Sequence, residues 1–382
     1  MALSTLAQGA RGVLHSRIAQ GQRGELLEGP RFQGRDVWLT DSGTTALTLA
    51  LLESARDGAE RIVALPAYCC PDLATAAVGA GSRIRLYDVN PRTLEPDWES
   101  VHACLQQGAT QLVIAHLLGR IADMQEAHRL AASFGATVIE DAAQGAGGAR
   151  DGVPSGALAD YSVMSFGRGK GLNAGGGGAL TVRRGASFRP FAPLREQGRL
   201  RAAKALAAAV ATEFLSQPIV YGIPAQLPFL RVGETVYHEP SAGALPSTAT
   251  VIFMHEALAH ETTWLARRQG MEAWYEQGLN SVSHALFERS GPSMTSGALR
   301  FPFRASPAAV SHLVRFGVVR YYPRTLAEYP AFAQHVLPTI GTLSGAKELA
   351  SLLHTAPTHH LLSEADRTEL LGQLISAMTS HP

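Results

Sequence analysis

Short β-branched or apolar runs alternate, from Val37 to about Val182, with stretches whose apolar residues recur at helical spacing. The runs at 37–39, 61–65, 83–89, 111–116, 137–140, 161–166 and 179–182 predict strands. Those at 44–54, 72–79 and 124–134 predict helices between several of them. Strand and helix in alternation imply βαβ units and a largely parallel sheet covered by helices on both faces, an α/β fold. In such a sheet, ligands gather beyond the carboxyl ends of the strands.

The cadence stops after Arg184. Residues 185–250 are rich in Arg, Ala and Pro, with Pro-punctuated pieces at 217–224 and 226–228, and predict irregular structure and helix at the edge of the first domain. From about Thr250 a long helical pattern runs to Leu279, followed by a strand-like stretch at 299–303, further helices and a Pro-containing stretch near Pro357. We therefore expect three parts: an N-terminal helical segment at 1–25, a large domain at 26–248, and a smaller α+β domain at 249–382. There is no internal repeat.

Composition narrows the class. The 382 residues are 46% hydrophobic and 17% charged, with Lys+Arg 33 against Asp+Glu 32, which excludes a disordered chain and a basic nucleic-acid binder. Cys69, Cys70 and Cys104 give no disulfide framework and no CxxC spacing, so a reducing cytoplasm is the expectation. The stretch 1–23 lacks a continuous apolar segment of the secretory kind. The most apolar stretch, 205–230, is interrupted by Glu213, Gln217, Pro218 and Pro224, too often for a membrane span. Among the basic residues only Lys170, Lys204 and Lys347 are lysine. A coding bias explains the arginines, because Arg replaces Lys on most solvated surfaces. It cannot replace a lysine that must lose its proton and attack a carbonyl.

Four elements of the first domain carry candidate chemistry. Asp41-Ser-Gly-Thr-Thr-Ala-Leu47 follows a predicted strand and opens a helix, which sets free N–H groups and hydroxyls at a positive helix end, a phosphate cup; Ser-Gly-Thr is equally an ordinary N-cap. Val138-Ile-Glu-Asp-Ala-Ala-Gln144 ends a buried strand in an acid. Asp141 is the better candidate to meet a cationic ring nitrogen in the ligand crevice, since Glu140 faces the other way; a turn-capping Asp is the plainer reading. Ser165-Phe-Gly-Arg-Gly-Lys170 follows another apolar strand, and burial of that lysine is expected to depress its pKa towards a neutral nucleophile. The alternative is a solvated loop lysine. Finally, Gly175-Gly-Gly-Gly178 permits close backbone approach, or is a flexible turn.

Cup, strand-end Asp and Gly-flanked Lys, in that order, are what pyridoxal 5'-phosphate enzymes of fold type I present. More specifically, the chain resembles the DegT/StrS family of sugar aminotransferases. The resemblance rests on Ser42-Gly-Thr-Thr-Ala-Leu47, Leu65-Pro-Ala-Tyr68, His116-Leu-Leu-Gly119, Ile139-Glu-Asp-Ala-Ala-Gln144 and Ser165-Phe through Lys170 to Gly178. Looser matches follow at Leu299-Arg-Phe-Pro302 and Ala356-Pro-Thr-His359. It implies a large domain with a mostly parallel seven-stranded sheet between helices, and a smaller α+β C-terminal domain.

By position, the resemblance implies that Lys170 forms the imine with pyridoxal phosphate and later shuttles the proton. Asp141 would hold the pyridine nitrogen protonated, and Gln144 would contact the phenolic oxygen or the adjacent face. Gly43, Thr44, Thr45 and Ser165 would bind the phosphate. It further implies a keto-sugar substrate, nucleotide-linked, an amino-acid donor such as glutamate, and a homodimer with the site at its interface. Relatives that dehydrate carry His in place of the lysine.

Two departures stand out. The family commonly places an aromatic residue four positions after Pro66 to stack on the ring; Cys70 stands there, with Tyr68 as the alternative stack. The Asn-Tyr-Arg-like segment by which many members reach the partner's site is not found in 185–250. These departures keep open elimination or decarboxylation on the same cofactor, and a non-catalytic relative. Other residues point first to structure: His116 to a satisfied buried histidine, with a catalytic role as the alternative, His359-His360 to a surface pair without companions at metal spacing, and Tyr321-Tyr-Pro323 to packing, with lining of the site from the small domain as the alternative.

Overall fold

The computed structural model describes residues 30–55, 60–187, 194–198, 200–207, 237–289, 291, 293–359 and 361–379. The helical segment expected at 1–25 and the Pro-punctuated pieces at 217–224 and 226–228 lie outside the described residues.

All seven predicted strands of the first domain form one sheet: β1 (Arg35–Thr40), β2 (Ile62–Pro66), β3 (Arg83–Tyr87), β4 (Gln111–Ala115), β5 (Thr137–Asp141), β6 (Tyr161–Ser165) and β7 (Gly178–Arg183). Their order is β1-β7-β6-β5-β4-β2-β3. β2 through β6 pair in parallel, whereas β7 runs antiparallel to both β6 and β1. Strand β4 is buried at every position, which is why its sequence reads as a continuous apolar run after Gln111 instead of alternating.

The connecting helices are α1 (Gly43–Glu53), α2 (Asp72–Gly79), α3 (Trp98–Gln106) and α4 (Met124–Phe134). Three match predicted helices. The exception, α3, starts at an Asp97 cap whose side chain accepts from Ser100 N. Helix α4 starts where the Asp123 carboxylate accepts from Gln125 N and Glu126 N, and stops at Gly135, whose φ of 63° suits a residue without Cβ.

Side chains from β4 and β5 divide between the two faces. Val113, Ala115 and Ile139 pack with Leu47, Ala50 and Leu73 of α1 and α2. Leu112, Ile114 and Val138 pack with Cys104, Leu105, Ala127 and Leu130 of α3 and α4. Each fully buried Leu, Ile or Val is worth about 1.5–3 kcal/mol relative to exposure. At the other end of the sheet, Leu39, Met164 and Ala179 pack on Val251, Ile252, Phe253 and Met254 of α5 (Thr248–Ala259). The helix that opens the C-terminal part thus lies on the large sheet.

Beyond it, α6 (Glu261–Gly278) leads to a small antiparallel sheet of β8 (Arg300–Arg304), β9 (Val319–Arg320) and β10 (Leu353–Pro357), in the order β8-β10-β9. Helices α7 (Ser344–Leu352) and α8 (Glu364–Thr379) complete this part. Its core joins Tyr275, Phe301, Phe303, Leu370 and Leu374. The two parts also share a core: Tyr322, Leu326, Phe332 and Leu349 belong to the cluster around α1 and α2, and Leu326 N donates to Ala67 O at 2.8 Å. The carboxyl ends of β4, β5 and β6 open towards this junction.

Candidate active site

The cup forms where β1 turns into α1. Ser42 is extended at φ −158°, and its Oγ accepts from Thr45 N, the ordinary N-cap geometry. The first N–H groups of a helix have no partner within it and carry partial positive charge. Two glycines bring the surrounding backbone to this helix end. A Cβ on Gly178 would sit 2.3 Å from Ser42 O and 2.6 Å from Gly43 N; one on Gly43 would sit 2.8 Å from Ser165 Cβ and 3.1 Å from its Oγ. Only glycine fits at either position, so the end of β6, the start of β7 and the first turn of α1 converge on one point.

The expected phosphate ligands divide there. Ser165 and Gly43 face each other, and Thr44 is half-buried in the first turn. Thr45 is turned inward: its hydroxyl donates to Asp41 Oδ1 at 2.6 Å, and its methyl lies where a Cβ on Gly243 would be. The hydroxyl of Thr45 thus holds the Asp41 turn closed, a role its place in the motif did not signal.

Asp141 ends β5 on the α1 face, 6% exposed, with Oδ1 accepting from Ala143 N at 3.0 Å. Burial raises its pKa, against the opposing pull of Lys170 and the Ala143 hydrogen bond. Lys170 is half-buried after the Gly-Arg-Gly turn. Its surroundings correct the expectation that burial leaves it neutral. Burial does favour the free amine, but Cys70, Tyr321, Asp141 and Asp72 outweigh it, and the pKa lies above the ordinary lysine value. The Cys70 thiol is pushed up to about 12, first by burial and then by Asp72, and burial likewise raises Tyr321, so both are neutral near pH 7.

Gln144 is fixed on three sides. Its Oε1 accepts from Leu118 N at 2.9 Å and from the Tyr321 hydroxyl at 3.1 Å, and its Nε2 donates to the Tyr322 hydroxyl at 2.9 Å. Tyr68 is 1% exposed; its ring meets that of Tyr322 edge-on, with centroids 5.5 Å apart, and its hydroxyl accepts from Tyr322 N. Cys70 is the half-buried residue of that loop and lies within electrostatic reach of Lys170. From the sequence, Tyr321 and Tyr322 are expected to pack, with lining of the site from the small domain as the alternative. The structure adds a polar role, because they carry the C-terminal part to Gln144. No spacing in the chain links positions 144 and 321.

Residues 32–215 match the model of the DegT/DnrJ/EryC1/StrS aminotransferase family. Over that stretch, the chain is similar to this family. The match takes in the cup, Asp141, Gln144, Ser165 and Lys170, and leaves out the whole C-terminal part, including Tyr321 and Tyr322. Among curated relatives, the chain is 36% identical over 161 residues to the L-glutamine:2-deoxy-scyllo-inosose aminotransferase of Streptomyces lividus, covering 42% of this chain and 38% of that protein. It is 31% identical over 142 residues to the GDP-perosamine synthase of Caulobacter vibrioides, covering 37% and 38%. The chain thus spans less than half the length of these relatives.

The fold match is wider. DesV of S. venezuelae, solved in complex with a ketimine intermediate, superposes with a TM-score of 0.72 over 97% of this chain and 94% of that one, at 21% identity. CalS13 from Micromonospora echinospora, a sugar aminotransferase, gives 0.71 over 97% and 96%, also at 21%. The family's large-domain fold, with a mostly parallel sheet between helices, is therefore the fold of this chain. No helix among the described residues is long and apolar enough to cross a membrane.

Proposed function

We propose that this chain binds pyridoxal 5'-phosphate and transfers an amino group from an amino acid to the keto group of a sugar or a closely related polyol ring. The donor is glutamate or its amide, glutamine, and the sugar is nucleotide-linked. The observation that carries the reading is that Asp141, buried at the end of β5, lies within electrostatic reach of Lys170. A lysine nucleophile must first give up its proton. Once it does, Asp141 is a buried carboxylate deprived of its cation, a state that costs free energy. A protonated pyridine nitrogen restores the missing positive charge. The Gly43, Ser165 and Gly178 convergence suits the other end of the same molecule, since a dianionic phosphate needs N–H donors and a hydroxyl, with no Cβ in the way.

The residues then take these roles. Ser165, Thr44 and the first N–H groups of α1 hold the phosphate. Asp141 keeps the ring nitrogen protonated, and Gln144, locked by Leu118 and the two tyrosines, faces the ring oxygen. When bound, the group supplies an aldehyde that captures amines and a cationic ring that draws electrons from the neighbouring carbon. Lys170 Nζ holds the group at rest. Displaced by the donor amine, it becomes the base that takes a proton from the amino-bearing carbon and the acid that returns one. Its raised pKa in the free protein means that Asp141 must change partner before Nζ can act as that base. We place the protein in the cytoplasm, as a homodimer with the site at the subunit interface; the free thiols of Cys69, Cys70 and Cys104 agree with a reducing compartment.

The test is direct. Incubated with pyridoxal phosphate, the purified protein is expected to turn yellow; an amino donor should bleach it, and Lys170→Ala should abolish both effects. A wild type that takes up no cofactor overturns the proposal. Uptake without bleaching by any amino acid would instead make the chain a non-catalytic cofactor binder.

A further inference from the structure

Behind Asp141, on the opposite face of β5, lies a buried polar hub that none of these roles uses. Glu140 is 0% exposed. Its Oε1 accepts from Gly156 N at 2.6 Å and from His116 Nε2 at 2.9 Å; its Oε2 accepts from Ser162 Oγ at 2.7 Å and from Leu158 N at 2.9 Å. His116 Nδ1 accepts from Ala122 N at 3.2 Å, so the ring proton sits on Nε2 and the histidine donates to Glu140 while neutral. Arg35, 5% exposed, closes the hub by donating to Ser162 Oγ and to Ala159 O.

The connections run to the catalytic face. The backbone N–H of His116 donates to Asp141 O at 3.2 Å, so one residue grips Asp141 by its main chain and Glu140 by its ring. Ser162 belongs to β6, the strand that delivers Ser165 and then Lys170. Gly156 and Leu158 lie in the loop that leads into β6. Through one carboxylate the carboxyl ends of β4 and β5 are therefore tied to the start of β6 and its entry loop, on the side away from the site.

We propose that Glu140, with His116, is a positioning residue for the cofactor site: by tying the carboxyl ends of β4 and β5 to the start of β6 it sets where Asp141 stands relative to Ser165 and Lys170. A carboxylate bound by four donors is rigid, and rigid backing is what holds a functional side chain to the tolerance its chemistry needs. Its burial beside N–H donors also keeps Glu140 ionised, below the ordinary carboxylate range despite desolvation. Replacing it by Gln adds a donor where four donors already point, so the hub must open.

The inference rests on the proposed cofactor binding, and its test separates the two. Apoprotein is titrated with pyridoxal phosphate, reading the dissociation constant and the induced circular dichroism of the visible band, for wild type, Glu140→Gln, Ser162→Ala and Leu374→Val. Carboxylates behind metal-ligating side chains commonly control metal affinity by about 10–100-fold, and the same kind of backing is at issue here. We expect Glu140→Gln to weaken binding about tenfold and to reduce the dichroic band by about half. Ser162→Ala, which keeps the charge and removes one of its donors, should give a smaller change of the same sign. It serves alone if Glu140→Gln fails to fold. Leu374→Val, in the core of the small sheet, lowers the melting temperature without touching the hub and should leave both readings unchanged.

Wild-type constants and dichroism in the Glu140 and Ser162 variants would overturn the inference while leaving the functional reading intact. Equal weakening in Leu374→Val would also overturn it, since loss of stability alone would then explain the effect. A wild type that binds no cofactor overturns both.

Discussion

Glu140 and Asp141 are neighbours on one strand and nearly inaccessible to water, yet the two faces of the sheet treat them oppositely. On the α4 face, Glu140 meets four hydrogen-bond donors, which together outweigh the cost of burial and depress its pKa. On the α1 face, Asp141 has one backbone donor and the nearby Lys170, and burial wins, raising its pKa. The first environment is complete as it stands. The second is one cation short as soon as Lys170 is asked to react. A buried acid with all its donors is structural, and a buried acid within electrostatic reach of a nucleophile is poised for a ligand.

The comparison breaks most visibly at Asp141. Asp141→Asn is expected to slow the donor half-reaction, followed as bleaching of the bound cofactor, by about 10²–10³-fold, the usual effect of removing one preorganised electrostatic partner. The same change should not destabilise the apoprotein at neutral pH. A carboxylate whose folded pKa is raised is favoured in its protonated form, so its contribution is greatest at low pH and is lost as pH rises through the folded pKa; the neutral amide has no such term. Urea unfolding at pH 7 that shows Asp141→Asn to be clearly less stable than wild type would remove the distinction between the two faces.

A second effect concerns Lys170. Because its pKa is raised, the reactive free amine is scarce near neutrality and increases about tenfold per pH unit. Uptake of pyridoxal phosphate by apoprotein should accelerate about 100-fold between pH 7.5 and 9.5, and Asp141→Asn should flatten that rise by lowering the lysine's pKa. A wild-type rate already level at pH 8 would show the lysine to be neutral there, contrary to its surroundings.

These differences bear on what could be read from the chain. The strands and the order of cup, Asp and Lys were legible because each depends on local pattern: period, capping, glycine before a strand. That Glu140 and Asp141 point apart was equally legible from the pleat. The charge state of Lys170 was not. Burial alone argues for a neutral amine, and the groups that reverse it, Cys70, Tyr321, Asp141 and Asp72, come from separate elements. Tyr321 and Tyr322 illustrate the same limit, since their tie to Gln144 spans two parts of the fold. The start of α3 was legible in principle, as Asp97 is an ordinary cap, but its short apolar stripe of Val101, Cys104 and Leu105 was too sparse to stand out.

The smallest effect tests the hub for stability instead of function. At pH 7, Glu140→Gln should lower the unfolding free energy by about 2–3 kcal/mol, the cost of leaving buried donors poorly paired. The sign with pH follows from the depressed pKa. Stabilisation by the ionised Glu140 is present above the unfolded carboxyl value of about 4.3 and is lost as pH falls through the lower folded value. The gap between wild type and Glu140→Gln should therefore be constant from pH 7 down to about 5 and narrow below about 4, whereas the gap for Ser162→Ala, which leaves the carboxylate in place, should show much less narrowing. Urea titrations at several pH values measure both. A Glu140→Gln gap that stays constant to the acid limit would mean that shape, not charge, holds the three strands together, and the contrast between the two faces would then be one of packing.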